Sequence, residues 1–142
     1  MHRTFGEKEN VSYVDREGAY LIPIRGQMIG VVKTEKGYFL LGGGLDPGES
    51  PEQAIMRECL EEAGYTVKIK RKLCTAETYT THPKLGYFHP IQAYYAGELT
   101  EKVSEPTESN HELLWMDYED AIEKMFAEMK SWAIEQAIRF LK

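Results

Sequence analysis

Glu58, Glu61 and Glu62 stand close together beside Arg57, in a segment that follows a run of glycines. If that segment is helical, a step of ~100° per residue gathers the three carboxylates on one face. Like charges three or four residues apart repel by a few tenths of a kcal/mol per pair, and acids toward a helix C-terminus also oppose the macrodipole. A divalent cation reverses that sign, because hard Mg2+ or Mn2+ prefers carboxylate oxygens, and clustered acids favour its binding. A solvated acidic face is the simpler alternative, and the residues upstream weigh against it. Leu41-Gly42-Gly43-Gly44-Leu45-Asp46-Pro47-Gly48-Glu49 is a loop whose glycines let the backbone approach a ligand, offering carbonyls to a metal or amides to a phosphate.

The elements that must hold these groups are readable around them. Ser50 before Pro51, with Gln53 three residues on, is a capping-box signature, and Gly64 can take the left-handed conformation that ends a helix, so a helix over 51–63 is expected. On its angular wheel Ile55, Met56, Cys59, Leu60 and Ala63 form the face opposite the acids, which is expected to be buried. Alternation and turn residues predict strands over 12–14, 18–25, 27–33, 37–41, 67–78 and 87–97, and a short one over 113–116. From Asp117 onward Ile122, Met125, Phe126, Met129, Trp132, Ala133, Ile138 and Leu141 recur near helical spacing, which predicts one or two helices packed on the sheet. Strands, helix, strands and helix in that order indicate an α/β sandwich with a mixed sheet.

In its glycine loop and capped helix the chain resembles the Nudix hydrolase family, whose box runs Gly, five residues, Glu, seven residues, then Arg-Glu-aliphatic-any-Glu-Glu-any-Gly-aliphatic. Gly43, Glu49, Arg57, Glu58, Glu61, Glu62 and Gly64 occupy its polar and glycine positions. Cys59 and Tyr65 depart from two aliphatic positions, and Leu41 stands where many relatives have Pro. The resemblance implies one Nudix hydrolase domain over 1–142, folded as an α/β/α sandwich with a mixed β-sheet. It implies Glu58, Glu61 and Glu62 as ligands of Mg2+ or Mn2+, with a carbonyl of Gly42 or Gly43 as a further ligand. Arg57 would orient the box by pairing with Glu49, and Gly43, Glu49 and Gly64 would give it structural support. The reaction implied is hydrolysis of a diphosphate bond in a nucleoside triphosphate or another nucleoside diphosphate derivative. The base that takes the proton of the attacking water would be Glu61 or an acid of the later segment, Glu112 ahead of Glu108, with Glu105 also nearby. A nucleotide-sensing domain of the same fold without turnover is the alternative reading.

Composition narrows the partner. The 142 residues carry a net charge of −6, so the chain lacks the positive excess that non-specific binding of a nucleic-acid polymer requires. A small anionic substrate would then rely on metal or on a local basic group. No stretch is apolar enough for a signal peptide or a membrane span, and Cys59 and Cys74 lack metal-ligand spacing, so a cytoplasmic protein with free thiols is expected. Tyr79, His82, Tyr87, His89 and Trp115, with Arg25 and Lys84, are candidates for contact with base or phosphate, against the commoner role of strand aromatics in the core.

Overall fold

The computed structural model describes residues 1–107 and 110–141. Its strands are β1 (His2–Phe5), β2 (Val14–Arg25), β3 (Met28–Thr34), β4 (Gly37–Phe39), β5 (Leu41–Gly44), β6 (Tyr65–Thr78), β7 (Thr80–His82), β8 (Gly86–Lys102) and β9 (Glu112–Asp117). The helices are α1 (Pro51–Ala63), α2 (Tyr118–Lys124) and α3 (Glu128–Leu141). The polar opening residues did not suggest β1. It forms because Phe5 can be buried edge-on against Trp132, with ring centroids 6.1 Å apart, while the backbone runs parallel to β6.

Strand β2 organises the sheet. It runs parallel to β8 from Val14↔Phe88 to Pro23↔Gly97 and antiparallel to β5 from Gly18↔Gly44 to Leu21↔Leu41. Its far end pairs with β3, which in turn carries β4 and β9 on its two edges. The sheet is therefore mixed. Both faces of β2 are covered, so its residues alternate between two cores instead of between core and water. Ala19 and Leu21 join Val32, Leu41 and Tyr95 beneath Ile55 and Cys59 of α1. Ile22 joins Ile29, Val31, Leu40 and Tyr94 beneath Trp132, Ala133 and Ile134 of α3. These two cores make the three layers of an α/β/α sandwich.

The C-terminal pattern resolves into two helices. Met125, Met129, Trp132 and Ala133 are buried as expected, but Phe126 is 65% exposed and rests on Phe39 instead. Both cysteines are buried free thiols.

Candidate active site

Helix α1 begins and ends as its sequence dictates. The Ser50 hydroxyl accepts from the Gln53 amide at 3.2 Å, the Gln53 side chain accepts from the Ser50 amide at 2.9 Å, and Gly64 closes the helix at φ 74°. A Cβ at Gly64 would meet the Ser104 carbonyl oxygen at 1.9 Å, so this glycine also lets the 104–105 segment pack on the helix end. The rotation of α1 differs from the expected one. Met56 and Leu60 are exposed at 45% and 38%, whereas Ala54 and Glu62 are buried with Ile55, Cys59 and Ala63. The acids therefore do not lie opposite the core but along its edge, against the sheet.

The glycines of β5 make that possible. The Gly42 amide donates to Glu62 Oε1 at 2.9 Å. A Cβ on Gly43 would sit 2.7 Å from Glu58 Oε2, and one on Gly42 would sit 2.2 Å from the Ala19 carbonyl oxygen. Two carboxylates thus lie directly on a strand that has no side chains beneath them. Gly44 has nothing closer than 3.8 Å. Gly42→Ala is accordingly expected to cost about 2–4 kcal/mol of unfolding free energy and Gly44→Ala less than about 0.5, read by urea denaturation. Equal stabilities for the two variants would show that the close approach at Gly42 is not required.

Arg57 ties loop to helix. Its Nε and Nη2 donate to the two oxygens of Glu49, each at 2.9 Å, a bidentate pair of the kind that gives both strength and orientation. Nη2 also donates to the Gly44 carbonyl at 3.0 Å, and Nη1 reaches Glu58 Oε1 at 2.5 Å and Glu61 Oε2 at 3.4 Å. The guanidinium beside Glu49, with the Asp46 amide donating to the same carboxylate, holds the Glu49 carboxyl down at about 2. Side-chain exposure rises from 10% for Glu62 through 18% for Glu58 to 39% for Glu61. All three are hard oxygen donors on one helix, matched in type to Mg2+ or Mn2+. Among the described residues no three His, Cys, Asp or Glu side chains already converge on one point. Arg57 Nη1 bridges Glu58 and Glu61 in this structure.

Beside Glu62 and Gly42 opens a recess of about 340 Å³, walled by Tyr20, Val32, Phe39 and Leu40 and rimmed by Lys36 and His111. Tyr20 stacks on Tyr94 with ring centroids 5.7 Å apart, and burial with the Glu62 and Glu58 charges pushes its phenol up to about 12, so it stays a neutral hydroxyl. Behind Tyr20 lies Lys130, only 4% exposed, its ammonium 3.5 Å from the Tyr20 ring centroid and 3.2 Å from Gln92 Oε1. Neither Lys130 nor His111 was identified from sequence. Lys130 had a legible signal, since it shares a helical stripe with Ala133, Ile134 and Ala137, all fully buried.

The late acids are placed differently. Glu105 is exposed and pairs with Lys102 at 3.4 Å, and Glu108 lies outside the described residues. Glu112 is not in a loop but begins β9 opposite Lys33. Leu113 and Trp115 pack on the α1 side and Leu114 and Met116 on the α3 side, so strand alternation puts Glu112 on the α3 side, and it does not line the recess beside Glu62. The aromatic candidates also gather elsewhere. Tyr79 stacks on His89 at 4.3 Å, Tyr13 meets Tyr79, Tyr87 and His89 edge-on, and His89 is held between Asp15 and Glu77 at 2.8 Å each. Arg25 covers Trp115 at 4.0 Å, and the Lys84 amide donates to His82 Nδ1 at 3.1 Å. None of these residues lines the recess.

Comparison with known proteins agrees with this architecture. A Bacillus subtilis (strain 168) protein named "Putative 8-oxo-dGTP diphosphatase" is 42% identical over 60 residues, a match that spans 40% of this chain and 40% of that protein's length. The crystal structure of a MutT protein from Methanosarcina mazei Go1 superposes with a TM-score of 0.75 at 17% identity, covering 94% of this chain and 99% of that one. The NUDIX domain of Shewanella oneidensis NrtR, solved with ADP ribose, superposes with a TM-score of 0.68 at 19% identity, covering 93% and 90%. A profile described as NUDIX domain matches residues 13–136, nearly all of the layered structure and the whole box, and the chain belongs to that family.

Proposed function

We propose that this protein is a Mg2+- or Mn2+-dependent hydrolase that cleaves a diphosphate bond in a nucleoside triphosphate or another nucleoside diphosphate derivative. The observation that carries this reading is the set of α1 carboxylates seated on a glycine strand, clamped by Arg57 and opening on an aromatic-walled recess. The family and the name of the Bacillus subtilis relative support it. Glu58, Glu61 and Glu62 would hold the metal, with the Gly42 carbonyl as a further oxygen. When bound, the metal supplies positive charge for the phosphate oxygens and acidifies a water. Arg57 would keep the acids in place through Glu49, and Glu61, the most exposed of the three, would take the proton of the attacking water. The recess, walled by Tyr20 and Phe39, would receive the nucleoside end of a small-molecule substrate. At a net charge of −6 the chain has no field suited to a nucleic-acid polymer. A cytoplasmic location is part of this proposal; separately, no helix among the described residues is long and apolar enough to cross a membrane.

The test is product analysis over nucleoside triphosphates, oxidised nucleotides such as 8-oxo-dGTP, ADP-ribose and nucleotide sugars. Hydrolysis is expected to vanish with EDTA and to return with Mg2+ or Mn2+. Undiminished activity after chelation and removal of metal would overturn the metal role. Tight binding of a nucleotide without turnover of any panel member would make the protein a sensor instead.

A further inference from the structure

His111 Nδ1 is a buried polar atom with no hydrogen-bond partner, the one such side-chain atom among the described residues. Its nearest charged neighbour is Glu62 Oε2 at 3.6 Å, beyond hydrogen-bond reach. Native structures seldom leave a buried polar atom unsatisfied without a reason, and a part in binding or catalysis is one such reason. The surroundings indicate which ligand. Facing a carboxylate oxygen, the favoured tautomer carries its proton on Nδ1, so the atom is a donor in search of an acceptor. His111 lines the recess beside Glu62, at that end of the acid cluster, where a nucleoside in the recess would join its phosphate chain. Leu113 and Trp115 pack on the α1 side, and His111, immediately before the strand, lines the recess together with Thr34 and Glu62.

We propose that His111 is a substrate-contacting residue, its Nδ1–H donating to a phosphate oxygen of the bound nucleotide at the junction of recess and acid cluster. This rests on the function proposed above and adds a residue to it. A charge-assisted hydrogen bond of this kind is worth about tenfold or more in affinity. His111→Ala is therefore expected to raise KM for the nucleotide hydrolysed about tenfold or more, with a smaller change in kcat. His111→Asn, whose amide nitrogen can take the place of Nδ1, is expected to restore most of the loss. Calorimetry with α,β-methylene ADP, a diphosphate with a non-hydrolysable bridge, reads the same contact without turnover in the presence of Mg2+. Mn2+ affinity measured alone should stay within about twofold in both variants, since the proposed contact is with substrate.

Equal affinity of the parent and His111→Ala for the probe, with equal KM, overturns the contact while leaving the function intact. Loss of Mn2+ affinity in His111→Ala also overturns it, by making the imidazole a metal ligand. A parent chain that neither hydrolyses the panel nor binds the probe overturns the function and the contact together.

Discussion

Glu61→Gln is expected to lower turnover about 10²–10⁴-fold, the usual worth of a positioned proton acceptor, while Glu112→Gln keeps the turnover of the parent. The reason is the different setting of each acid. Glu62 is committed to the Gly42 amide and Glu58 lies against Gly43 and Arg57, so both are held by the sheet. Glu61 is 39% exposed, and among the described residues its carboxylate has only a long contact of 3.4 Å to Arg57, which leaves it able to reach a water. Glu112 lies on the face of β9 that carries Leu114 and Met116. Measured kcat and Mn2+ affinity separate the roles. A ligand that is not the base should lose affinity when its charge is removed, as expected of Glu58→Gln. Should Glu112→Gln lose turnover with metal binding intact, the assignment to Glu61 fails, and β9 must present its other face in the working enzyme.

Lys130→Met is expected to stabilise the metal-free protein by about 2–4 kcal/mol at pH 6, because a buried ammonium is replaced by an apolar side chain of similar length. Its partners are the Gln92 amide oxygen and the Tyr20 ring, and burial pulls the Lys130 ammonium down to about 7 despite the Glu62 charge, which favours the protonated form. The sign of the pH dependence follows. The folded-state value lies below the unfolded one, so below about pH 7 both states are charged and the penalty is fully present. From about pH 7 upward the unfolded chain holds a proton that the folded chain does not, and the stability of the parent rises. The gap between parent and Lys130→Met should therefore narrow by up to about 1.4 kcal/mol per pH unit above 7. His89, raised by Asp15 and Glu77, loses its contribution as pH rises above its ordinary value, but it is common to both proteins and cancels in the difference. Urea unfolding at pH 6, 7.5 and 9 reads the gap. A gap that does not change with pH would mean that the ammonium stays charged throughout, with a partner that stabilises it.

Much of the site was legible because its signals are local. The ends of α1 are set by Ser50, Gln53 and Gly64 within a turn of the helix, and the spacing of Glu49 and Arg57 is that of the clamp seen in the structure. The triple glycine was legible as close backbone approach, although not what would approach. In the fold it is the protein's own Glu58 and Glu62. Helix rotation was not legible, since the wheel of α1 has apolar residues on both sides of the acids. Which side is buried depends on the long-range packing of Ile55 and Cys59 over Leu21 and Leu41.

The late segment shows the same division more sharply. A strand near 113–116 could be read from its residues, but side chains alternate with period two, so a shift of one residue exchanges faces. Only the tertiary structure brings His111 to within 3.6 Å of Glu62 and sets Glu112 opposite Lys33, outside the lining of the recess. The sequence by itself determined which residues make up the box, the helix that carries them and the three-layer class of fold. Tertiary structure decided which neighbours complete the site, because a side chain's face in a strand or helix is set by partners far away in the chain.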